Sequence, residues 1–277
     1  MKKMDKLNKI LMRLLTLGFR STNILTYYTL LAKLGIDYLK NGNKKQGYLF
    51  DLAKDLCEKN INFKVYGVKL SLEPCFWPPL YSLFISTSEP VSFKYFLEFV
   101  KDGGVVVDVG ANVGIYSLIA AKYAERVFAI EANPEIIPIL NYNITLNDFK
   151  NVTVINKAVS DSEGKVKLYL GKAHEVSSIL PSFMEGYTYS KYVEVESTTL
   201  DNLLSGVSVN LLKIDVEGAE VNVLRGAKET LKKAKRIIIE VRNNTEQKVL
   251  DILKQNNFEI VTIEEGTKNI IAEKSES

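Results

Sequence analysis

Residues 105–114 read Val-Val-Val-Asp-Val-Gly-Ala-Asn-Val-Gly, and this stretch decides the fold. Its β-branched residues predict a buried strand, and its glycines predict a turn that leads into a helix from Ile115 to Tyr123. A second apolar run, Arg126–Ile130, predicts the next strand. A strand, a glycine turn, a helix and another strand in this order indicate a parallel βαβ unit.

The spacing of the acid and the glycines distinguishes two classes of cofactor. Dinucleotide sites use G-x-G-x-x-G, which lets a pyrophosphate approach bare backbone at a helix N-terminus. Here the spacing is D-x-G-x-x-x-G, from Asp108 to Gly114. A carboxylate at this strand end repels phosphates but suits S-adenosylmethionine, which carries an amine and a sulfonium. Glu131 lies at the tip of the second strand, the position at which nucleotide-binding α/β folds accept hydrogen bonds from a ribose diol.

Beyond Glu131 the chain continues to alternate between strands and helices, which predicts a doubly wound, mostly parallel sheet covered on both faces. The predicted core strands are Val105–Val109, Arg126–Ile130, Val152–Lys157, Asn210–Asp215 and Arg236–Val241. The segments Phe258–Ile263 and Asn269–Ala272 predict a C-terminal hairpin that adds an antiparallel strand. An insertion from Gly164 to Glu196 is expected to face the substrate.

An accessory region is predicted at residues 1–100, mainly helical with a short β segment, ahead of a catalytic domain at residues 101–277. Within it, Lys45–Lys59 predicts a helix and Asn62–Leu72 predicts a hairpin around a glycine. Pro90–Val100 predicts a helix that leads into the core, because proline is favoured in the first turn of a helix.

The first 40 residues are basic and amphipathic, with apolar stretches that Arg13, Lys33 and Asp37 interrupt. Because these charges interrupt the apolar stretches, neither a membrane span nor a secretory signal is predicted. The helices are expected to pack on the core or on another subunit of a homo-oligomer, and peripheral contact with an anionic membrane is the alternative. The expected location is the cytoplasm, at the inner membrane surface if that contact forms.

The composition is that of a globular protein, with 46% apolar and 25% charged residues among 277. The net charge is +3, and the lysines are scattered among nearly as many acids, so a nucleic-acid partner is not expected. Cys57 and Cys75 are expected to be reduced core thiols, because a chain of this length needs no disulfide to fold.

Three motifs of the chain belong together: Asp108-Val-Gly-Ala-Asn-Val-Gly114, Glu131-Ala-Asn-Pro134, and Leu212-Lys-Ile-Asp-Val-Glu-Gly-Ala-Glu220 followed by Val223-Leu-Arg-Gly226. In combination they resemble the FkbM family of S-adenosylmethionine-dependent methyltransferases. The third motif is the most specific, since few methyltransferases follow their fourth strand with K-I-D-x-E-G-x-E. The resemblance covers roughly residues 100–273. It implies a class I methyltransferase (Rossmann-like) fold with a seven-stranded sheet, and O-methylation of a sugar in a glycan, glycolipid or small metabolite.

The candidate cofactor-binding residues follow the first three strands, because ligands of open α/β sheets bind beyond the carboxyl ends of the strands. Asp108 is expected to pair with the ammonium of the cofactor, directly or through water, and Glu131 with its ribose. The turn Lys157–Asp161 is expected beside the adenine. The remaining candidates are small residues or lie beside the nucleoside: Gly110, Ala111, Asn112, Gly114, Ala132, Asn133 and Ala158.

The catalytic candidates lie at the end of the fourth strand, where Lys213, Asp215 and Glu217 are predicted to converge. A carboxylate there can take the proton of an acceptor hydroxyl as its oxygen attacks the methyl group. Asp215 is the first candidate for this base and Glu217 the second, with Glu240 at the tip of the fifth strand as a further candidate. A structural Lys213–Asp215 ion pair and a helix-dipole role for Glu217 are the alternatives.

The only histidine, His174, lies in the insertion and is expected to be solvated rather than catalytic. It cannot anchor a histidine-rich metal site. A Mg²⁺ ion held by Asp215 with Glu217 or Glu240 is left open, and no metal ligands are assigned.

Two other functions compete with methyl transfer. An NAD-dependent oxidoreductase on a similar sheet would need the dinucleotide glycine spacing that is missing here. The second is a catalytically silent interaction module that binds S-adenosylmethionine. The acids at every expected strand tip argue against it, because a silent module would not need them.

Overall fold

A seven-stranded sheet forms the centre of the fold. The computed structural model describes residues 62–71, 85, 89–171, 177–180, 189–242 and 244–275, all within the unit Leu56–Ser277. The strands are β1 (Asn62–Val65), β2 (Val68–Ser71), β3 (Val105–Val109), β4 (Arg126–Ile130), β5 (Val152–Ile155), β6 (Ala158–Val159), β7 (Gly164–Gly171), β8 (Ser177–Ser178), β9 (Tyr189–Thr198), β10 (Val209–Ile214), β11 (Ala234–Glu240), β12 (Phe258–Ile263) and β13 (Asn269–Lys274). The α-helices are α1 (Pro90–Phe99), α2 (Ile115–Ala121), α3 (Ile137–Leu146), α4 (Leu200–Leu203), α5 (Glu220–Arg225), α6 (Lys228–Lys233) and α7 (Glu246–Gln255).

The strand order of the central sheet is β5-β4-β3-β10-β11-β13-β12. Neighbouring strands from β5 to β11 pair in parallel, whereas β13 is antiparallel to both β11 and β12. This confirms the predicted class I, Rossmann-like architecture and the antiparallel strand of the C-terminal hairpin. The order reverses at β3, because the chain proceeds outward to β4 and β5 and then returns to β10 on the other side. Such a reversal opens a crevice at the carboxyl ends of the strands.

The predicted core elements differ from the observed ones mainly at their ends. β3 and β4 have the predicted bounds, whereas β5 ends at Ile155 instead of Lys157. At the next position, the side-chain amide of Asn156 donates to the carbonyl oxygens of Glu131 and Ala132 at 2.8 and 3.2 Å, so the chain turns toward the loop after β4. The first core helix ends at Ala121, because its last turn tightens to i→i+3 hydrogen bonds.

The insertion forms a second sheet of four strands in the order β6-β9-β7-β8. β7 and β9 pair in antiparallel register from Gly164↔Ser197 to Gly171↔Tyr189. Leu168, Leu170 and Val195 pack on Ala158 in a small core of their own. Residues 172–176 and 181–188 lie outside the described residues, so the prediction that His174 is solvated falls there.

The predicted hairpin at Asn62–Leu72 is observed as β1 and β2, which pair in antiparallel register. Tyr66 and Gly67 have φ values of 50° and 81°, the pair of left-handed conformations that a type I′ turn requires. The side chain of Asn143 in α3 joins this hairpin to the glycine turn: its Oδ1 accepts from the Ser71 N–H, and its Nδ2 donates to the Val113 carbonyl, each at 2.9 Å.

The first 61 residues lie outside the described part of the chain, and so do residues 72–84 and 86–88. The predicted helix Lys45–Lys59, the basic N-terminal helices and both cysteines fall there, and the division at residue 100 stays a prediction. In the part that is described, no helix is long and apolar enough to span a membrane.

Candidate active site

A cavity of about 300 Å³ lies at the carboxyl ends of the core strands, beside the reversal of strand order. The loops that follow β3, β4, β5 and β10 contribute to its lining, and so does the end of β11. Leu168, Ser177 and Ile179 of the insertion also line it. The insertion therefore faces the cavity, as expected for an element that contacts substrate.

The glycine turn is shaped by close packing between neighbouring loops. Gly110 has a φ of 83°, and a Cβ built on it would lie 1.8 Å from the carbonyl oxygen of Asp215. Gly114, at the start of α2, has a φ of 97°, and its Cβ would lie 2.5 Å from Cδ1 of Leu140. Gly110 and Ala111 line the cavity, whereas Gly114 does not. These glycines are required for loop packing, a reason separate from the predicted approach of a ligand to bare backbone.

Glu131 lines the cavity with a carboxylate that two backbone amides hold in place. The Asn112 N–H donates to Oε2 at 2.8 Å, and the Asn133 N–H donates to Oε1 at 2.7 Å. Burial raises the pKa of Glu131, and these two hydrogen bonds oppose that rise. Each oxygen keeps a lone pair that can accept from a hydroxyl group. This geometry suits the predicted contact with a ribose diol.

Asp108 lies beneath the cavity, where its side chain is buried and does not contribute to the lining. The Ser117 hydroxyl donates to Oδ2 at 2.6 Å, and Nζ of Lys213 lies 3.9 Å from Oδ1. Burial raises the pKa of Asp108, and the charge of Lys213 opposes that rise. This position favours the water-mediated contact with a cofactor amine over the direct one.

The loop residues predicted beside the nucleoside gather at one end of the cavity. Ala132 and Asn133 line it after β4, and Lys157, Ala158 and Val159 line it after β5. Asn133 is fully buried, and its Nδ2 donates to the Ser177 hydroxyl at 3.4 Å. This bond joins the insertion to the loop that carries Glu131.

Lys213 and Asp215 form an ion pair, which is the alternative role predicted for them, with 3.3 Å between Nζ and Oδ2. Burial opposes the charge on Lys213, but Asp215 and Asp108 raise its pKa above the ordinary value. The ammonium also lies 4.4 Å from the centre of the Tyr116 ring. Asp215 is the more exposed partner, at 31% against 5%, so it is the one that a bound ligand can contact.

Arg242 connects two further acids of the cavity, Glu217 and Glu240. Its Nη2 contacts Oε2 of Glu217 and lies 3.2 Å from Oε1 of Glu240. Burial and the charge of Asp215 raise the pKa of Glu217 to about 7 and that of Glu240 to about 9, against the opposing charge of Arg242. A carboxyl group that titrates near neutral pH is suited to general-base work.

Metal ligation is not supported by this arrangement. Among the residues that the structure describes, no group of three or more His, Cys, Asp or Glu side chains is placed to hold a metal ion. Glu217 and Glu240, two of the acids considered for Mg²⁺, instead share the guanidinium of Arg242. A guanidinium between two carboxylates already supplies the positive charge that a cation would bring.

Glu89, Tyr116 and Ser177 line the cavity but were absent from the predicted set. The Tyr116 hydroxyl donates to Oε2 of Glu89 at 2.8 Å. This hydrogen bond joins Glu89, the residue before α1, to the core helix α2. No local pattern marks Glu89, which precedes a proline in the predicted accessory region. Arg242 could have been predicted to lie near the site, because it comes two positions after the last residue of β11.

Comparison with known proteins identifies the family. A family model described as the methyltransferase FkbM domain matches residues 108–260, which is more than half of the chain. The chain belongs to the FkbM family of S-adenosylmethionine-dependent methyltransferases. The resemblance seen in the sequence motifs is thereby confirmed, and the matched FkbM segment runs from Asp108 into β12.

Curated relatives of this FkbM chain include two methyltransferases. It is 28% identical over 160 residues to the hexuronic acid methyltransferase AglP of Haloferax volcanii, covering 56% of this chain and 63% of that protein. It is 30% identical over 156 residues to the methyltransferase sdnD of Sordaria araneosa, covering 45% of this chain and 60% of that protein. The chain therefore spans less than two thirds of the length of these relatives.

Solved structures similar to the FkbM chain include Trm5b from Pyrococcus abyssi and a precorrin-6y C5,15-methyltransferase from Geobacter metallireducens. The first is 16% identical with a TM-score of 0.42, covering 76% of this chain and 54% of that one. The second is 12% identical with a TM-score of 0.41, covering 66% of this chain and 87% of that one.

Proposed function

We propose that this protein transfers a methyl group from S-adenosylmethionine to a hydroxyl group of a sugar, in a glycan, a glycolipid or a small metabolite. The observation that carries the proposal is one cavity that holds Glu131 after β4 and Asp215 after β10. β3 alone separates these strands, so the two acids stand roughly 10 Å apart along the sheet edge. A nucleoside and an acceptor can therefore lie side by side.

The nucleoside end is preorganised by the chain itself. Glu131 is held by two amides before any ligand arrives, so its oxygens need no reorganisation to accept from ribose hydroxyls. Ala132 and Ala158 present small apolar surface beside it. Beneath the cavity, the buried carboxyl group of Asp108 lies near the position expected for a cationic amine, within reach of a bridging water. These features fit S-adenosylmethionine, which supplies an electrophilic methyl group on its sulfonium.

The acceptor end carries the groups that can take a proton. Asp215 is partly exposed in the cavity and remains the first candidate for the base, because Lys213 fixes its carboxylate from below. Glu217 is the second candidate, since its raised pKa suits proton transfer near neutral pH. The base removes the hydroxyl proton as the oxygen attacks, and the cavity aligns the two reactants.

A sugar acceptor has support from one relative and from the insertion. AglP is named a hexuronic acid methyltransferase, and its match to this chain gives a precedent for a carbohydrate. The insertion adds Leu168, Ser177 and Ile179 to the cavity wall, a mixture of apolar and hydroxyl groups that suits a sugar ring. The acids at this end would repel the phosphates of a nucleic acid.

The decisive experiment is transfer of labelled methyl groups. Purified protein and cell extract are incubated with methyl-labelled S-adenosylmethionine, and polysaccharide, lipid and small metabolites are then separated. Label in base-stable ether linkage to a sugar is the expected result. Label in protein or nucleic acid, with none in carbohydrate, would show that the acceptor class is wrong.

A further inference from the structure

The acceptor end of the cavity discriminates by charge, and we propose that the methylated sugar ring carries no carboxylate. The acceptor is thus a neutral or amine-bearing sugar, and uronic acids are disfavoured. This inference rests on the proposed sugar methylation and specifies its substrate class.

Four carboxyl side chains line the cavity on the side away from Glu131. They come from separate parts of the chain: Glu89 before α1, Asp215 and Glu217 after β10, and Glu240 at the end of β11. Strand order places Glu240 three strands from Glu131, roughly 14 Å along the sheet edge. An acceptor that reaches the methyl group from this side must pass close to these acids.

The cations of the described lining are already engaged by acids. Lys213 lies between Asp215 and Asp108, at 3.3 and 3.9 Å from their oxygens. Lys157, at the nucleoside end, pairs with Glu196 at 2.9 Å.

Arg242, which is not part of the lining, is also engaged, because it is shared by Glu217 and Glu240. Recognition of a sugar carboxylate normally uses a lysine or arginine that can face it, in bidentate geometry for arginine. In the described part of the site, such a contact would first have to break an existing ion pair.

The consequence is selection by repulsion. A uronate would bring a negative charge against Asp215 and its neighbours in a partly buried space, where like charges are poorly screened. A neutral ring meets no such penalty, and its hydroxyl groups can donate to the same carboxylates. An ammonium group would be attracted to them. We expect neutral or amine-bearing rings to be preferred over their uronates by at least about tenfold in kcat/KM.

The test begins with the labelled product. Carbohydrate labelled by the protein and methyl-labelled cofactor is hydrolysed to monosaccharides, which are separated on an anion exchanger. Label in neutral or amino sugars supports the inference. Label in a methylated uronic acid overturns it while leaving sugar methylation intact. Absence of label from all carbohydrate overturns the proposed function, and the inference falls with it.

A second measurement tests the cause of the preference. The labelled neutral sugar is compared at pH 8 with the same sugar oxidised to its uronic acid, using wild-type protein, Glu217→Gln and the control Glu229→Gln, which alters an exposed acid of α6. Glu217 has a pKa of about 7, so at pH 8 the glutamine removes a negative charge and takes one of its two carboxylate partners from Arg242. Glu217→Gln should reduce the preference for the neutral sugar by several-fold, and the control should leave it unchanged. An unchanged preference in Glu217→Gln, with cofactor affinity intact, would contradict charge selection.

Discussion

Gly110 packs against the carbonyl oxygen of Asp215, so closely that a Cβ at Gly110 would lie 1.8 Å from that oxygen. The loops that follow β3 and β10 thereby fit together without a side chain between them. The Asp215 N–H also donates to the Val109 carbonyl at 2.9 Å, which ties the first residue after β10 to the end of β3. The glycine of the predicted cofactor motif and the acid proposed as the base form one packed unit.

Gly110→Ala should therefore destabilise the fold and abolish cofactor binding. A Cβ at 1.8 Å cannot be accommodated unless one loop moves, which we expect to cost about 3 kcal/mol. Gly206→Ala is the matched control, because Gly206 has a similar φ of 77° but no atom within 4 Å of its Cβ. Its cost should be roughly 1 kcal/mol, from backbone strain alone. Equal losses in urea unfolding would show that the packing is not the cause.

Glu131→Gln should weaken binding of S-adenosylhomocysteine roughly tenfold or more. A glutamine keeps one acceptor oxygen but turns an NH₂ group toward one of the two backbone amides, which leaves that N–H unsatisfied. The control is Glu135→Gln, which changes a nearby acid outside the cavity that pairs with Lys191. Isothermal titration of the three proteins measures the effect. Equal affinity of both variants would remove Glu131 from the cofactor site.

Asp215→Asn should leave cofactor affinity within a few-fold and reduce turnover about 100-fold or more, because the amide cannot take a proton. Single-turnover methyl transfer, measured beside Glu217→Gln, separates the two candidate bases. If Glu217→Gln loses more than Asp215→Asn, the roles are reversed. Unchanged turnover in Asp215→Asn would exclude it from the mechanism.

Much of this site could be predicted from the sequence because it follows strand ends. Asp108, Glu131 and Asp215 each end or directly follow an apolar run, and parallel strands bring such positions to one edge. Glu89 could not be predicted in the same way. It reaches the cavity only because α1 packs beside β13, where Asn269 donates to its Oε2 at 3.4 Å.

The fold shows the same division between local and tertiary signals. β3 and β4 are buried, almost wholly apolar runs, and their predicted bounds are the observed ones. The predicted end of β5 is two residues too late. Nothing in the sequence indicates that the Asn156 side chain forms hydrogen bonds with the loop after β4. Contacts of this kind depend on the assembled structure rather than on periodicity.

The raised pKa values predict a pH-dependent difference in stability. Glu240 titrates at about 9 in the folded protein, far above its ordinary value, so the folded state binds its proton more tightly than the unfolded state. Stability contributed by this proton is present at pH 4.5 and is lost as the pH rises toward 9. Glutamine mimics the protonated carboxyl group and does not titrate. The melting temperature of Glu240→Gln should therefore increase relative to that of the wild-type protein as the pH is raised from 5 to 9. A difference that does not vary with pH would contradict the assignment.

Asn143→Ala should detach the β1–β2 hairpin from the glycine turn. The side chain is fully buried and bonds both Ser71 and Val113, and its removal breaks both hydrogen bonds, at a cost of about 2–3 kcal/mol. Asn141→Ala, on the exposed side of the same helix, should cost under about 0.5 kcal/mol. Thermal unfolding of both variants checks this. Comparable losses would mean that the amide does not join the two elements.

The most direct test of the central claim is calorimetric titration of the wild-type protein with S-adenosylhomocysteine, in parallel with NADH. The arrangement of Glu131 over the end of β4 predicts saturable binding of the nucleoside thioether at one site per chain and no binding of the dinucleotide. Binding of NADH, or no heat with S-adenosylhomocysteine, would contradict it.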